Sequence, residues 1–425
     1  ASFPSRLRGE ADVTRYVAHL MPWFENSTKT DGNHWCDHNY GNSFYEPVLG
    51  RYASGDPVTI RKQLSMMKAA GLDGVWIDLQ TVDWLPAVSE IVKQAALLDL
   101  RFAIVLDNYA DADIVDIVRD ELLSFMDMPN YYRVYGRAVL PVFEHPDRQG
   151  PMRLPTWRTR DGHTPFVIGR YQAHNQTGEL PMGYDSLFFW NSPDLSVLDE
   201  YYTSPGFDVK AGSVYRGWWE AYRDQKHAPP YLGYLDSTLE RVRRYKPFFA
   251  QLTTWNDYGE GTMFEPSFLR DFQQSGCGDP RGTVWQSDTR TCDDIFGETT
   301  FTNGGQIPAC MPGTPTGAPC SGSGAAACAA IVDCSKPLDP AGGPSTDGCT
   351  PGDRSAYADL AQIASAITGT DAQAMTKRLQ AIAEDSELDG RTWSPPEDMR
   401  SAARGHAALA MAAFFCMAPR PWDRQ

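Results

Sequence analysis

Short apolar runs rich in β-branched and aromatic residues alternate with amphipathic helical stretches from Tyr16 to about Phe268. The run YVAHLMPWF (Tyr16–Phe24) predicts a first strand, followed by a polar loop rich in Gly, Asn and His that reaches Tyr52. Asp56-Pro57 then opens a helix, TIRKQLSMMKAAG, and Gly71 closes it. Aspartate satisfies the free amides of a helix start, proline suits the first turn, and glycine accepts the left-handed exit. A second strand is expected at GVWIDLQ (Gly74–Gln80), a helix from about Leu85 to Leu98, and a third strand at FAIVLDN (Phe102–Asn108). A helix over roughly Ala112–Phe125 leads to a fourth strand, AVLPVFE (Ala138–Glu144). Later strands are expected at PFVIG (Pro165–Gly169), SLFFW (Ser186–Trp190), YLGYL (Tyr231–Leu235) and FFAQLTTW (Phe248–Trp255).

These runs are continuously apolar rather than alternating, as strands covered on both faces must be. Strand–helix repetition argues for an α/β fold, and about eight units over some 250 residues argue for a closed (β/α)₈ TIM barrel. A doubly wound open sheet is the alternative, but no glycine-rich nucleotide loop follows the first strand.

The character changes past Cys277. Residues 276–354 are rich in Gly, Pro, Ser, Ala and Cys and show little periodicity. Two helical stretches follow, about Ser355–Glu387 (broken near Gly369) and Met399–Met417. The expected organisation is a catalytic barrel over 1–275, a disulfide-rich loop region over 276–354, and a helical region over 355–425 packed on the barrel. Of the nine cysteines, Cys277, Cys292, Cys310, Cys320, Cys328, Cys334 and Cys349 crowd this one segment, with Cys36 and Cys416 apart. No CxxC pair has zinc-finger spacing, so disulfides in an oxidising compartment are expected, with Cys36 as the odd thiol. A secreted or periplasmic protein with its signal peptide already removed fits this usage, Ala1 being a plausible first residue after cleavage.

Composition narrows the partners. The chain has 38 basic and 54 acidic residues, a net charge of −16, and no basic stripe for neutralising phosphates. A nucleic-acid partner is therefore not expected, and a neutral ligand is. No stretch is apolar enough to span a bilayer; the best candidate, SAARGHAALAMAAFFCMAP, carries Arg404 and His406. Twelve tryptophans suit either a sugar cleft, where indole stacks on pyranose C–H faces, or a large aromatic core. Scattered histidines give no metal-ligand spacing, so no metal or other cofactor is expected. The chain is expected to be a monomer.

Barrel enzymes carry their chemistry at the C-terminal ends of the strands. Asp78, Asp107, Glu144 and Trp190-Asn191 fall there, each a candidate for substrate contact or for loop anchoring. The segment TTWNDYGEGTMFEP (Thr253–Pro266) is denser: an apolar strand ends in Trp255, and Asp257 and Glu260 follow in a tight polar turn around Tyr258. Glycoside cleavage needs one group to protonate the leaving oxygen and another to activate a nucleophile, and two carboxylates facing one sugar provide both. The plainer alternative is that Asp257 caps the turn and Glu260 pairs with an arginine.

WNDYGEGTMFEP resembles the signature of glycoside hydrolase families 71 and 99. AHLMPWFE (Ala18–Glu25), His34-Trp35, the spaced residues from Pro47 to Asp56, and the run from Gln63 to Asp78 resemble the same families in the same order, so the likeness spans roughly residues 15–270. It implies a (β/α)₈ barrel and an α-glycosidase, with Glu260 as general acid and Asp257 as base. In family 99 the first carboxylate is a glutamate acting through the sugar 2-hydroxyl with retention; in family 71 it is an aspartate and the outcome is inversion. Asp257 leans to family 71 and the EGTMFEP ending to family 99, which leaves both outcomes open. The resemblance also implies that some of His19, Trp23, His34, Trp35 and Tyr52 line subsites. Trp190 and Trp255 are the expected stacking platforms, Tyr258 the expected partner of one carboxylate, and Trp218 or Trp219 a further wall unless that segment is a core helix. The expected function is secreted, endo-acting cleavage of α-glycosidic bonds in an α-glucan or α-mannan polysaccharide. Transglycosylation on the same residues, or carbohydrate binding on a retired hydrolase barrel, are the alternatives.

Overall fold

A computed structural model describes residues 13–25, 34–35, 45–107, 112–143, 157–171, 180, 183–220, 225–228, 233–269 and 356–385. All nine cysteines, Glu144, the 276–354 region and the expected Met399–Met417 helix lie outside the described residues.

Eight parallel strands form the barrel: β1 (Arg15–Leu20), β2 (Gly74–Leu79), β3 (Arg101–Leu106), β4 (Arg137–Val142), β5 (Phe166–Arg170), β6 (Ser186–Phe188), β7 (Lys210–Val214) and β8 (Phe249–Leu252). Each pairs with the next, and β8 returns to β1 with Ala18 opposite Leu252, which closes the sheet. The continuous apolar runs have their expected cause: all six residues of β2 are buried, and so are Phe102 to Leu106 of β3.

Helices α1 (Pro57–Ala69), α2 (Leu85–Leu97), α3 (Ala112–Met126), α4 (Leu195–Thr203) and α5 (Tyr234–Tyr245) belong to the outer layer. The start of α1 follows the sequence reading: the Asp56 carboxylate accepts from the Thr59 amide at 2.8 Å, with Pro57 in the first turn. Gly71 leaves it at φ +84°.

Two expectations are corrected. The strand expected over Tyr231–Leu235 is absent where the chain is described, because Tyr234 and Leu235 begin α5, and the seventh barrel strand is Lys210–Val214. Its sequence, KAGSV, carries a glycine where Tyr202 packs: a Cβ on Gly212 would meet the Tyr202 hydroxyl oxygen at 2.1 Å. The possible core helix around Trp218 is instead a short strand, Trp218–Glu220, paired antiparallel with Gln225–Ala228.

Beyond the barrel, α6 (Ala358–Thr368) and α7 (Ala372–Glu384) break at Gly369, whose φ of +72° is the left-handed exit read from the sequence. They pack on α1 and α5, and Leu360, Ile363, Met375 and Leu379 share one hydrophobic core with the barrel. Each such side chain removed from water contributes roughly 1.5–3 kcal/mol before entropy is charged against it. The buried Arg216 guanidinium, just past β7, meets the Asp359 carboxylate of α6 at 2.9 Å. No helix among the described residues is long and apolar enough to cross a membrane.

Candidate active site

The strand ends converge on a cavity of about 110 Å³ at the C-terminal mouth of the barrel. His19 lies in β1 and Asp78 in β2, Met21, Gln80, Asp107, Phe143 and Trp190 follow the ends of β1, β2, β3, β4 and β6, and Asp257 and Glu260 stand in the turn after β8. Trp23 and His34 form its outer edge, their rings stacked at 4.7 Å, with the Trp84 ring edge-on to both.

The turn bearing the two carboxylates is built by its own polar side chains. Thr254 and Thr262 close its neck: the Thr254 amide donates to the Thr262 carbonyl at 3.2 Å, and their hydroxyls meet at 2.9 Å. The Thr254 hydroxyl also accepts from the Asp257 amide at 2.8 Å. Asp257 Oδ1 then accepts from the Glu260 amide at 2.9 Å, so Asp257 does cap the turn while facing the cavity. Gly261 supplies the left-handed φ of +64° that lets the chain fold back. Asn256 fastens the turn to the first strand, accepting from the Met21 amide at 2.7 Å and donating to its carbonyl at 2.9 Å.

Burial dominates the electrostatics. Asp257 is 4% exposed, and desolvation, with the Glu260 charge beside it, raises its pKa well above the ordinary carboxylate value. Desolvation also lifts Asp78 to about 8 and lowers His19 to about 4. His19 Nε2 and Asp78 Oδ1 are 3.6 Å apart, too far for a hydrogen bond, and at neutral pH both groups favour their uncharged forms. The Arg170 guanidinium, at the end of β5, lies over the Phe143 ring at 4.4 Å; its charge acts on Glu260 and Asp107. Gln80 donates to Asp107 at 3.2 Å.

The structure thus brings Trp23, His34, Asp78, Asp107, Trp190, Asp257 and Glu260 to one cavity, together with His19. The Trp190 ring stands near-perpendicular to the His19 and Phe143 rings, at centroid distances of 4.9 and 4.7 Å. Four expected site residues stand behind the wall instead. Trp255 is fully buried in the core, and Trp35 stacks on Phe24 and donates to the Tyr52 carbonyl at 2.7 Å. Tyr52 and Tyr258 both turn their hydroxyls to Glu265, at 2.8 and 3.0 Å, so Tyr258 serves neither Asp257 nor Glu260. Sequence reading gave no role to Met21, Gln80, Phe143, Arg170, Asn256 or Glu265. Met21, Gln80 and Phe143 each lie just past the end of a strand, and that position was the available signal.

No family model matches the chain, and no curated protein matches it. Solved structures do. The chain is similar to the GH99 endo-alpha-mannosidase from Bacteroides thetaiotaomicron in complex with BIS-TRIS-propane, at 17% identity and a TM-score of 0.49, over 60% of this chain and 87% of that one. A second structure of the GH99 endo-alpha-mannosidase from that organism aligns at 16% identity and a TM-score of 0.49, over 60% and 89%. A glycoside hydrolase-like protein aligns at 13% identity and a TM-score of 0.44, over 60% and 88%. The barrel itself is established by its own strand pairings.

Among the described residues no group of three or more His, Cys, Asp or Glu is arranged to hold a metal ion. The chemistry available in the cavity is that of carboxyl groups, two imidazoles and aromatic side chains.

Proposed function

We propose that this chain is a glycoside hydrolase that cleaves α-glycosidic bonds in a polysaccharide, with Asp257 and Glu260 as the acid/base pair. The observation that carries the reading is the placement of these two carboxyl groups on one hydrogen-bonded turn, both facing a cavity that also presents aromatic side chains. Cleavage requires one protonated and one ionised carboxyl, and unequal environments are how a protein keeps two such groups apart. Asp257 is the more deeply buried, and its environment favours the protonated form. The family resemblance implies Glu260 as the acid and Asp257 as the base. Trp190, Trp23 and His34 line the cavity in which a sugar ring would sit. The resemblance of WNDYGEGTMFEP and its companion motifs to families 71 and 99 supports endo action on an α-linked glucan or mannan, and the cysteine usage supports secretion.

The test is product analysis on a panel of α-glucans and α-mannans with the wild type, Asp257→Asn and Glu260→Gln. Hydrolysis of one polymer, lost in both variants, supports the reading and identifies the substrate. Aryl glycosides with good leaving groups then identify the acid, because they restore turnover when the proton donor is missing. Hydrolysis that survives in both variants, or binding without cleavage by folded wild type, overturns it.

A further inference from the structure

Behind the turn that carries Asp257 and Glu260 lies a second carboxylate system that the chemistry above does not use. Glu265 is 1% exposed and accepts three hydrogen bonds from three segments of the chain. Gln63 of α1 donates to Oε1 at 2.8 Å, while Tyr52 and Tyr258 donate to Oε2 at 2.8 and 3.0 Å. Tyr52 in turn accepts from the Asn256 amide group at 3.1 Å, the same group that donates to the Met21 carbonyl. Tyr258 lies between the two cavity carboxyls in sequence, and Met21 lines the cavity itself. One buried carboxylate therefore ties α1, the loop after β1 and both sides of the turn into a single unit. The Glu265 amide donates to the Trp255 carbonyl at 2.8 Å, so backbone as well as side chain holds the tie.

We infer that Glu265 is a positioning residue for the turn: its bonds to Tyr258 and Tyr52 set the depth and orientation at which Asp257 and Glu260 face the cavity. The chemistry explains why a carboxylate stands there. Three donors converge on two oxygens; burial raises Glu265 to about 7, and above that pH the ionised carboxylate accepts all three without bringing a donor of its own. A fully buried carboxyl that serves only packing is a poor choice, because an apolar side chain of similar volume fills the space without the cost of desolvation. The inference rests on the reading of Asp257 and Glu260 as the catalytic pair.

Its test therefore includes a readout that does not need catalysis. Amide hydrogen exchange is followed in peptides covering residues 253–264 of the full chain, with barrel-strand peptides as internal reference, in wild type, Glu265→Gln, Glu265→Ala and Tyr258→Phe. Glu265→Ala is expected to speed exchange in the turn at least tenfold while exchange in β2 and β3 stays as in the wild type. Tyr258→Phe should produce a smaller effect of the same kind. Glu265→Gln should fall between wild type and Glu265→Ala, because Gln63 can rotate its amide and re-pair. On the polymer the wild type hydrolyses, Glu265→Ala should lower kcat at least tenfold with KM within twofold. Combining it with Tyr258→Phe should cost no more than Glu265→Ala alone, since both act through one bond. Wild-type protection of the turn in folded Glu265→Ala overturns the inference, and so does a kcat within twofold of wild type. Should Glu265→Ala not fold, Glu265→Gln and Tyr258→Phe decide by the same two readouts. Full activity in Asp257→Asn and Glu260→Gln would instead sink the catalytic reading while the exchange data still report on the turn.

Discussion

The Glu260 amide donates to Oδ1 of Asp257 at 2.9 Å, so the residue proposed to share the proton chemistry with Glu260 also fixes Glu260's backbone. The two roles separate by substitution. Asp257→Asn keeps an oxygen that accepts from the Glu260 amide but cannot titrate; Asp257→Ala loses both. Glycan hydrolysis should fall at least about 100-fold in each variant, the range expected for removing a general acid or base. Thermal or urea unfolding should show Asp257→Ala less stable than Asp257→Asn by about 1 kcal/mol, a typical cost of a lost side-chain cap. Equal stability of the two would show that the bond contributes nothing to the fold.

The buried His19–Asp78 pair gives stability a pH dependence whose sign follows from the shifts. Asp78, raised to about 8, binds more proton folded than unfolded, so its contribution falls as pH rises from about 4 to about 8. His19, lowered to about 4, binds less proton folded, so its contribution grows as pH rises from about 4 to its ordinary value near 6.5. The two trends oppose each other below about 6.5, and above it the carboxyl acts alone. Asp78→Asn should therefore flatten the decline in melting temperature between about pH 6.5 and 8, and between about pH 4 and 6.5 it should leave the rise that His19 produces alone. A wild-type slope retained in that window would mean that Asp78 titrates normally.

Arg216 and Asp359 join the barrel to α6 at 2.9 Å. Arg216 is buried, so removing its partner leaves an uncompensated cation, and Asp359→Leu should destabilise the chain by about 3 kcal/mol. Replacing both, as Arg216→Met with Asp359→Leu, should recover most of that loss, because apolar packing replaces a desolvated pair. Urea titrations of the two single variants and the double variant give the answer. A double variant no more stable than the singles would show the pair itself to be worth more than its packing.

Two glycines separate sterics from backbone freedom. A Cβ on Gly74 at the start of β2 would lie 2.1 Å from the Arg101 carbonyl oxygen in the neighbouring strand. Since that atom belongs to the sheet, Gly74→Ala should cost about 1–3 kcal/mol or more. Gly55 has nothing nearer than 3.9 Å, and Gly55→Ala should leave stability unchanged or raise it by roughly 0.4–1 kcal/mol through the unfolded state. Chemical denaturation of the two variants side by side checks both signs.

The amino-acid order by itself determined the elements whose cause is local. Asp56-Pro57 and Gly71 bound α1 because caps and turn residues act within a few positions of themselves. Seven of the eight barrel strands were visible as apolar runs because two-sided burial demands them. Asp257 and Glu260 stood out because one turn holds both. Tertiary structure decided what depends on distant neighbours. KAGSV is a strand because it pairs with β6 and β8 on either side, with Tyr202 filling the space beside Gly212, while Tyr234 and Leu235 of the more apolar YLGYL begin a helix whose Leu235 is buried in the core. Motif and aromatic character placed Trp35, Tyr52, Trp255 and Tyr258 near the mouth, but hydrogen bonds hold Trp35, Tyr52 and Tyr258 elsewhere and Trp255 is buried in the core. Arg170 and Glu265 gain their roles from Phe143, Glu260, Gln63, Tyr52 and Tyr258, partners that in most cases lie tens to hundreds of residues away. Charge and hydrogen bonding act through space, and only the closed barrel brings those groups together.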